Sequence, residues 1–517
     1  MNTKNFGIFS PVLGMRKDFP SILLEKAYNP DSENIIFQKG EVHRAKMRLK
    51  ELTDTTLTKI QTPDTYPIIH YHRFVDSNTE SESLFVFTKA HIYLWNSGAK
   101  TLDQKFECNS NCDMWNTVTY NNKVIATNNI DKVLKWATGD ATFTPLGSDN
   151  GIEYETTTYL TKAKYLTVYE NYLILGYIME NAVSCPTRIR WCDLGDDTNW
   201  KSGDSGASDV GKDDVLTGFG NYQGLLIIFK EDSHYKMWLV SSSTVFNMSV
   251  VNSKIGCKSP HSIVNDENGE LFFFASDYTF RGIGMGEISQ AVNLEVKKFI
   301  PGLIPFIKSK YIVELNEIWW SIPYGTDATA NNKVFVFHKG YWSQLNLSIS
   351  AFGEWSRNAN YTWATLPFST WDSWGWDKWD SREGEMGSLI DLGGDYSGYT
   401  YALHGNELDD DTAYTGYTVM STDFTDQQGL TFYKRLLQMQ LYFNRESSGT
   451  AEVYIKRDQE PSWQNAGSVS LLGNNDVIIK DLVMDYRAKT FLIKVQGANR
   501  FRFLGAIFKY VPSGAER

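Results

Sequence analysis

A degenerate repeat between about residue 65 and residue 350 constrains this chain more than any other feature. Each unit carries an alternating strand, a turn, a strongly apolar strand and a third strand that usually bears an aromatic residue. The first reads Ile69–Val75, Leu84–Phe87 and His91–Trp95; the second reads Thr117–Tyr120, an Asn121-Asn122 turn, Val124–Ala126 and Val133–Trp136. Four more follow, with apolar strands at Tyr172–Leu175, Leu225–Phe229, Leu271–Ala275 and Ile318–Ile322. Aligning the second strands on Phe85, Val124, Leu173, Leu226, Phe272 and Trp319 gives intervals of 39, 49, 53, 46 and 47 residues. That spacing suits a four-stranded blade, roughly 40–50 residues. Blades bury their faces on one another, so a closed ring leaves few open edges. The pattern predicts an all-β protein with a β-propeller of about six blades; a pair of stacked sandwiches is the competing fold.

The rest of the chain divides around this ring. Residues 1–62 read as an arm and one hairpin, with Asn34–Phe37 and Val42–Met47 flanking a Lys39-Gly40 turn. The propeller spans 63–350, and 351–426 is a Trp- and Asp-rich insertion without blade rhythm. Residues 427–517 read as a β-sandwich-like unit, in which Phe491, Ile493 and Val495 share one strand face.

Charge and cysteine content narrow the function classes. The formal charge of −11 argues against a general nucleic-acid binder, which needs a basic face. Residues 372–426 carry a local net charge of −11 and residues 427–517 one of +5, so the two segments can attract each other within or between copies. No apolar run is long enough to span a bilayer, and Met1–Gly14 lacks the pattern of a signal peptide. Five cysteines, an odd number, suit a reducing cytosol. Cys108 and Cys112 lack a second ligand pair at zinc spacing, and buried thiols are the plainer reading.

Candidate chemistry is sparse. The run Ile189–Trp200 contains D-x-G-x-x-T-x-W, close to the Asp-box of sialidase propellers, a folding element whose Asp bonds turn amides and whose Trp packs between strands. Trp371, Trp374, Trp376 and Trp379 sit among aspartates, a composition suited to a glycan or subunit contact or to an aromatic plug. Asp391, Asp395, Glu407, Asp409, Asp410 and Asp411 supply oxygen atoms but lack a calcium-loop spacing. His70 and His72 share one strand face, with no third metal ligand evident. No nucleophile elbow, phosphate loop or zinc-protease motif stands out, so neither a cofactor nor a catalytic residue is expected.

Leu13–Pro20 (Leu13-Gly14-Met15-Arg16-Lys17-Asp18-Phe19-Pro20), Arg190–Trp200, Leu216-Thr217-Gly218-Phe219-Gly220 with Leu225–Lys230, and Lys434-Arg435 together resemble the tail hub, or nozzle, proteins of short-tailed bacteriophages. The resemblance implies a structural virion protein of the phage tail, assembled in the host cytoplasm as a homohexameric ring beneath the head-tail adaptor. Such a ring extends the channel for double-stranded DNA, helps retain packaged DNA, and anchors fibres, spikes or a needle without catalysis. On that reading Trp371, Trp374, Trp376, Trp379, Lys434, Arg435, Arg500 and Arg502 are the candidate interface residues. The alternative function is a propeller that binds host-surface glycan or hydrolyses it as a glycoside hydrolase, which needs a carboxylate pair in an exposed pocket.

Overall fold

The structure, a computed structural model, describes residues 3–9, 13–21, 24, 27–38, 41–44, 49–51, 60–96, 99–211, 213–240, 244–356, 389–403, 413–422, 432–458 and 460–512. The protein is all-β, and its helices are a few short turns.

Six antiparallel sheets follow one another along the chain, covering 68–107, 116–145, 152–209, 216–252, 264–287 and 308–345; we number them one to six. A seventh consists of Ala351–Ser356, Leu389–Gly394 and Thr400–Leu403, with Leu49–Glu51 as its fourth strand. The sequence repeat therefore falls one sheet short. Residues 357–388, outside the described residues, separate the first two strands of sheet seven and break its spacing. Its last strand comes from the opposite end of the chain. The region read as an insertion thus contributes three strands to the seventh sheet.

The first strands of sheets one, two, four, five, six and seven, together with Thr158–Tyr169 of sheet three, touch in succession, and that of sheet seven touches that of sheet one. One apolar cluster fills every junction. Phe85 and Phe87 meet Trp115 and Trp136 between sheets one and two. Phe280 meets Trp320 and Trp342 between sheets five and six, with ring centroids at 4.6 and 5.3 Å. Tyr71 and Val86 meet Leu392 and Ala351 where sheet seven returns to sheet one. The seven sheets therefore form a closed circuit.

Because each sheet is covered on both faces, its second strand buries consecutive residues rather than alternate ones. Leu84–Phe87, Leu226–Phe229 and Leu271–Phe274 are buried throughout. The strands reverse through turns that demand left-handed backbone: Asn121 and Asn122 have φ of 47° and 56°, as a two-residue hairpin requires. Closure also needs glycine. A Cβ on Gly353 would sit 2.6 Å from Cβ of Tyr71, and one on Gly394 would sit 2.8 Å from Cβ of Ile68.

A second body packs two sheets face to face around one core. The first contains Lys4–Phe9, Ile35–Gln38, Glu41–Arg44, Arg502–Pro512, Lys434–Asn444 and Val477–Ala488. The other contains Ser32–Glu33, Gly416–Thr422, Phe491–Gly497, Thr450–Arg457 and Gln464–Ser470. Here burial alternates: Phe491, Ile493 and Val495 point inward, as their spacing predicts, and join Phe443, Val453, Phe503 and Phe508. The hairpin expected near residue 40 forms with Phe37 opposite Val42, but as two strands of this sandwich rather than part of a free arm.

The amino-terminal segment fastens the two bodies. Met15 is buried in the junction of sheets five and six, and its N–H donates to Trp342 O at 2.7 Å. Asn34 N–H donates to Gln344 O at 2.9 Å, and Lys17 pairs with Asp31 at 2.8 Å.

Candidate functional site

Seven strands meeting at a centre bring distant side chains together. His70 and His72 stand on the first strand of sheet one, Thr117 and Thr119 on that of sheet two. Thr117 Oγ1 lies 2.7 Å from His70 Nε2 and 2.9 Å from His72 Nδ1, and Thr119 Oγ1 lies 3.0 Å from His72 Nε2. The shared strand face seen in the sequence thus becomes a hydrogen-bonded seam between neighbouring sheets.

His261, in the turn that leads into sheet five, lies opposite. Its ring centroid is 6.1 Å from that of His70 although sheets one and five are not neighbours in the circuit, so this contact crosses the axis. Lys308 opens sheet six beside both. The three imidazoles are half-buried while protein surrounds them, the situation of groups lining a narrow bore. Loss of hydration together with the neighbouring Lys308 holds His70 and His261 well below the usual imidazole range. Burial pushes His72 down to about 4 and Lys308 down to about 7.

The next level along the axis is ionic, with two cations among three carboxylates. Lys310 Nζ lies 2.8 Å from Glu354 and 3.4 Å from Asp391; Arg73 pairs with Glu82 at 2.5 Å and reaches Glu354 at 3.9 Å. These contacts link sheets six, seven and one. A carboxyl of another kind lies off the axis: Glu317 is buried, accepts a hydrogen bond from Trp319 Nε1 at 2.9 Å, and is pushed up to about 7 by burial.

The residues singled out from the sequence are dispersed. Trp371, Trp374, Trp376 and Trp379 lie outside the described residues, as do Glu407, Asp409, Asp410 and Asp411. Lys434 is buried, and its ammonium donates to Lys489 O at 2.9 Å, so it holds the sandwich together and offers little charge outward. Arg435 forms a two-pronged pair with Asp485 at 2.5 Å on the surface. Arg502 lies 2.7 Å and Arg500 3.7 Å from Glu446, so these two converge on one carboxylate. Asp391 is engaged by Lys310, and Asp395 accepts the Ser397 and Tyr399 amides at 2.9 and 2.8 Å, which makes it a turn residue. Among the described residues no cluster of histidine, cysteine or acidic groups could hold a metal ion. The five cysteines are free thiols.

The D-x-G-x-x-T-x-W run is a folded loop. Asp193 accepts the Leu194 and Asp204 amides at 3.0 and 2.8 Å, and Trp200 is buried with its Nε1 donating to Asp197 O at 2.8 Å. Sequence reasoning missed His261 and Lys308 as partners of His70. No motif joins them, because each belongs to a different sheet.

Comparison with known proteins supplies no relative: no family model matches the chain, and no curated protein matches it significantly.

Proposed function

We propose that the seven-sheet circuit is a β-propeller and that the chain is a structural subunit of a bacteriophage tail hub or nozzle. The observation that carries this reading is the closed circuit, with an apolar cluster in every junction. A ring closed in this way resists deformation, because no sheet can move without opening two packed interfaces. Stiffness and docking area are what a channel-forming subunit needs. The fastening of the amino-terminal segment to both bodies supports the same reading: it ties ring and sandwich into one load-transmitting unit.

On this proposal six copies surround the DNA channel below the adaptor, and fibre, spike or needle proteins attach outside. The net charge of −11 favours passage of the duplex without adhesion, since phosphate is repelled. Arg435 and the Arg500–Arg502 pair, which stay at the surface, are the described candidates for contacts between copies or with the adaptor.

Negative-stain microscopy and native mass measurement, with and without the adaptor, test the proposal. A ring of about six copies supports it. A chain that stays monomeric with adaptor present and hydrolyses surface polysaccharide refutes it in favour of a glycoside hydrolase. Tight, salt-sensitive binding of duplex DNA to the assembled ring would overturn the passage argument alone.

A further inference from the structure

Among the described residues, the cations near the axis differ in whether a carboxylate stands beside them. Lys310 and Arg73 each have carboxylates within reach, and the fully buried Lys230 lies 2.7 Å from Asp214. Lys308 has none. It is only 7 % exposed, and among the described residues its ammonium has no hydrogen-bond or ion-pair partner. The charged or ionisable neighbours that act on His70 are Lys308 and His72, and those that act on His261 are Lys308 and His70; no carboxylate is among them. His261 Nε2 is itself enclosed and without a hydrogen-bond partner. Two imidazoles and an ammonium thus meet across the centre with no carboxylate among them.

Stripping water from an unpaired ammonium is costly, and so is enclosing a polar nitrogen without a partner. Both costs are relieved by one species, an anion with several acceptor oxygens. We propose that the bore at His70, His261 and Lys308 binds a single small oxyanion of the phosphate or sulfate class. Lys308 supplies the charge, and the ring N–H groups of His261 and His70 supply oriented donors. Charge-assisted N–H···O contacts are short, roughly 2.7–2.9 Å, and stronger than neutral ones. The two rings are 6.1 Å apart between centroids, which confines the occupant to a few atoms and excludes a nucleic-acid chain. The ion therefore comes from solution. Thr117, already bonded to both His70 and His72, fixes the His70 ring for the task.

Binding draws charge onto a lysine that burial has brought to about 7, so the ammonium is favoured once the anion is present. The other ionisable group nearest the site, His72, bonds Thr117 and Thr119.

The test is calorimetric titration of the full chain with inorganic phosphate at pH 7 and low chloride, beside Lys308→Met, His261→Gln and, as a control, Lys201→Met. The site predicts one phosphate per chain, affinity lowered at least tenfold in Lys308→Met and severalfold in His261→Gln, and binding within twofold of the parent in Lys201→Met. Should Lys308→Met fail to fold, histidine ring nitrogen resonances of the unaltered protein decide. Phosphate must then shift His70 and His261 while leaving His91 and His338 in place. Absence of binding at 10 mM phosphate, binding by Lys308→Met equal to the parent's, or ring resonances that do not move would each overturn the proposal.

Discussion

The ring and the sandwich use the same residue types in opposite patterns. A ring strand such as Leu225–Lys230 buries five residues in succession, because a sheet lies against each of its faces. A sandwich strand such as Phe491–Gly497 buries every second residue and turns Leu492, Lys494 and Gln496 toward the other side. The pattern therefore reports how many faces are covered. It also reports how stability is distributed: the ring spreads it over seven junctions, each shared by two sheets, whereas the sandwich gathers it into one core. The ring needs closure, and the sandwich does not.

The largest test of this contrast acts on what the two bodies share. Removing residues 1–51 takes the fourth strand from sheet seven and four strands from the sandwich. Both should lose protection from hydrogen exchange and expose strand edges that associate, seen by size-exclusion chromatography. A sandwich or ring exchanging as before would show that the shared segment is decoration.

Next, Trp320→Ala empties the junction of sheets five and six, where Trp320 is fully buried and its Nε1 donates to Ser262 O at 3.1 Å. The expected cost is about 3–5 kcal/mol in urea unfolding, felt first as faster exchange in those two sheets. Gly353→Val crowds Tyr71 at the closing seam, at about 1–3 kcal/mol, and loosens sheets seven and one while sparing the sandwich.

Acid separates the bodies in a different way. His72 is neutral in the folded ring down to about pH 4 but takes a proton near pH 6.5 when unfolded. Unfolded chains bind that proton first, so stability is full above about pH 6.5 and falls as pH drops toward 4, by roughly 3 kcal/mol at one pKa unit per 1.4 kcal/mol. His70 and His261 act in the same direction. Exchange at pH 5 should therefore loosen the ring before the sandwich core.

Glu317 gives the opposite sign. It keeps its proton up to about pH 7 when folded and loses it near 4.5 when unfolded, so stability falls as pH rises between those values. Glu317→Gln removes that loss and should raise the ring's stability at pH 8 by about 2 kcal/mol, measured by urea unfolding. The smallest effect belongs to Arg435→Ala, whose surface pair with Asp485 leaves folding unchanged within error. A change in assembly without a change in melting would mark that residue as an interface.

Much of this architecture was legible before any coordinates. The anchors Phe85, Val124, Leu173, Leu226, Phe272 and Trp319 all fall in the apolar strand that follows the innermost one, and Asn121-Asn122 turns where it was expected to. Such features are local: hydrophobic period and turn chemistry act over a few residues, so they survive in the sequence as readable patterns. The seventh sheet escaped because its strands are drawn from both ends of the chain and its spacing is interrupted. The hairpin near residue 40 was visible, but not its destination in the sandwich.

The axial cluster divides the same way. His70 and His72 on one strand face follow from a two-residue period, which the chain itself dictates. That His261 and Lys308 face His70 across a bore follows only from closure, since the positions of sheets five and six relative to sheet one depend on how seven junctions pack and add up. Sequence settled what each strand must bury. Tertiary packing decided which distant polar groups were left to meet where the strands converge.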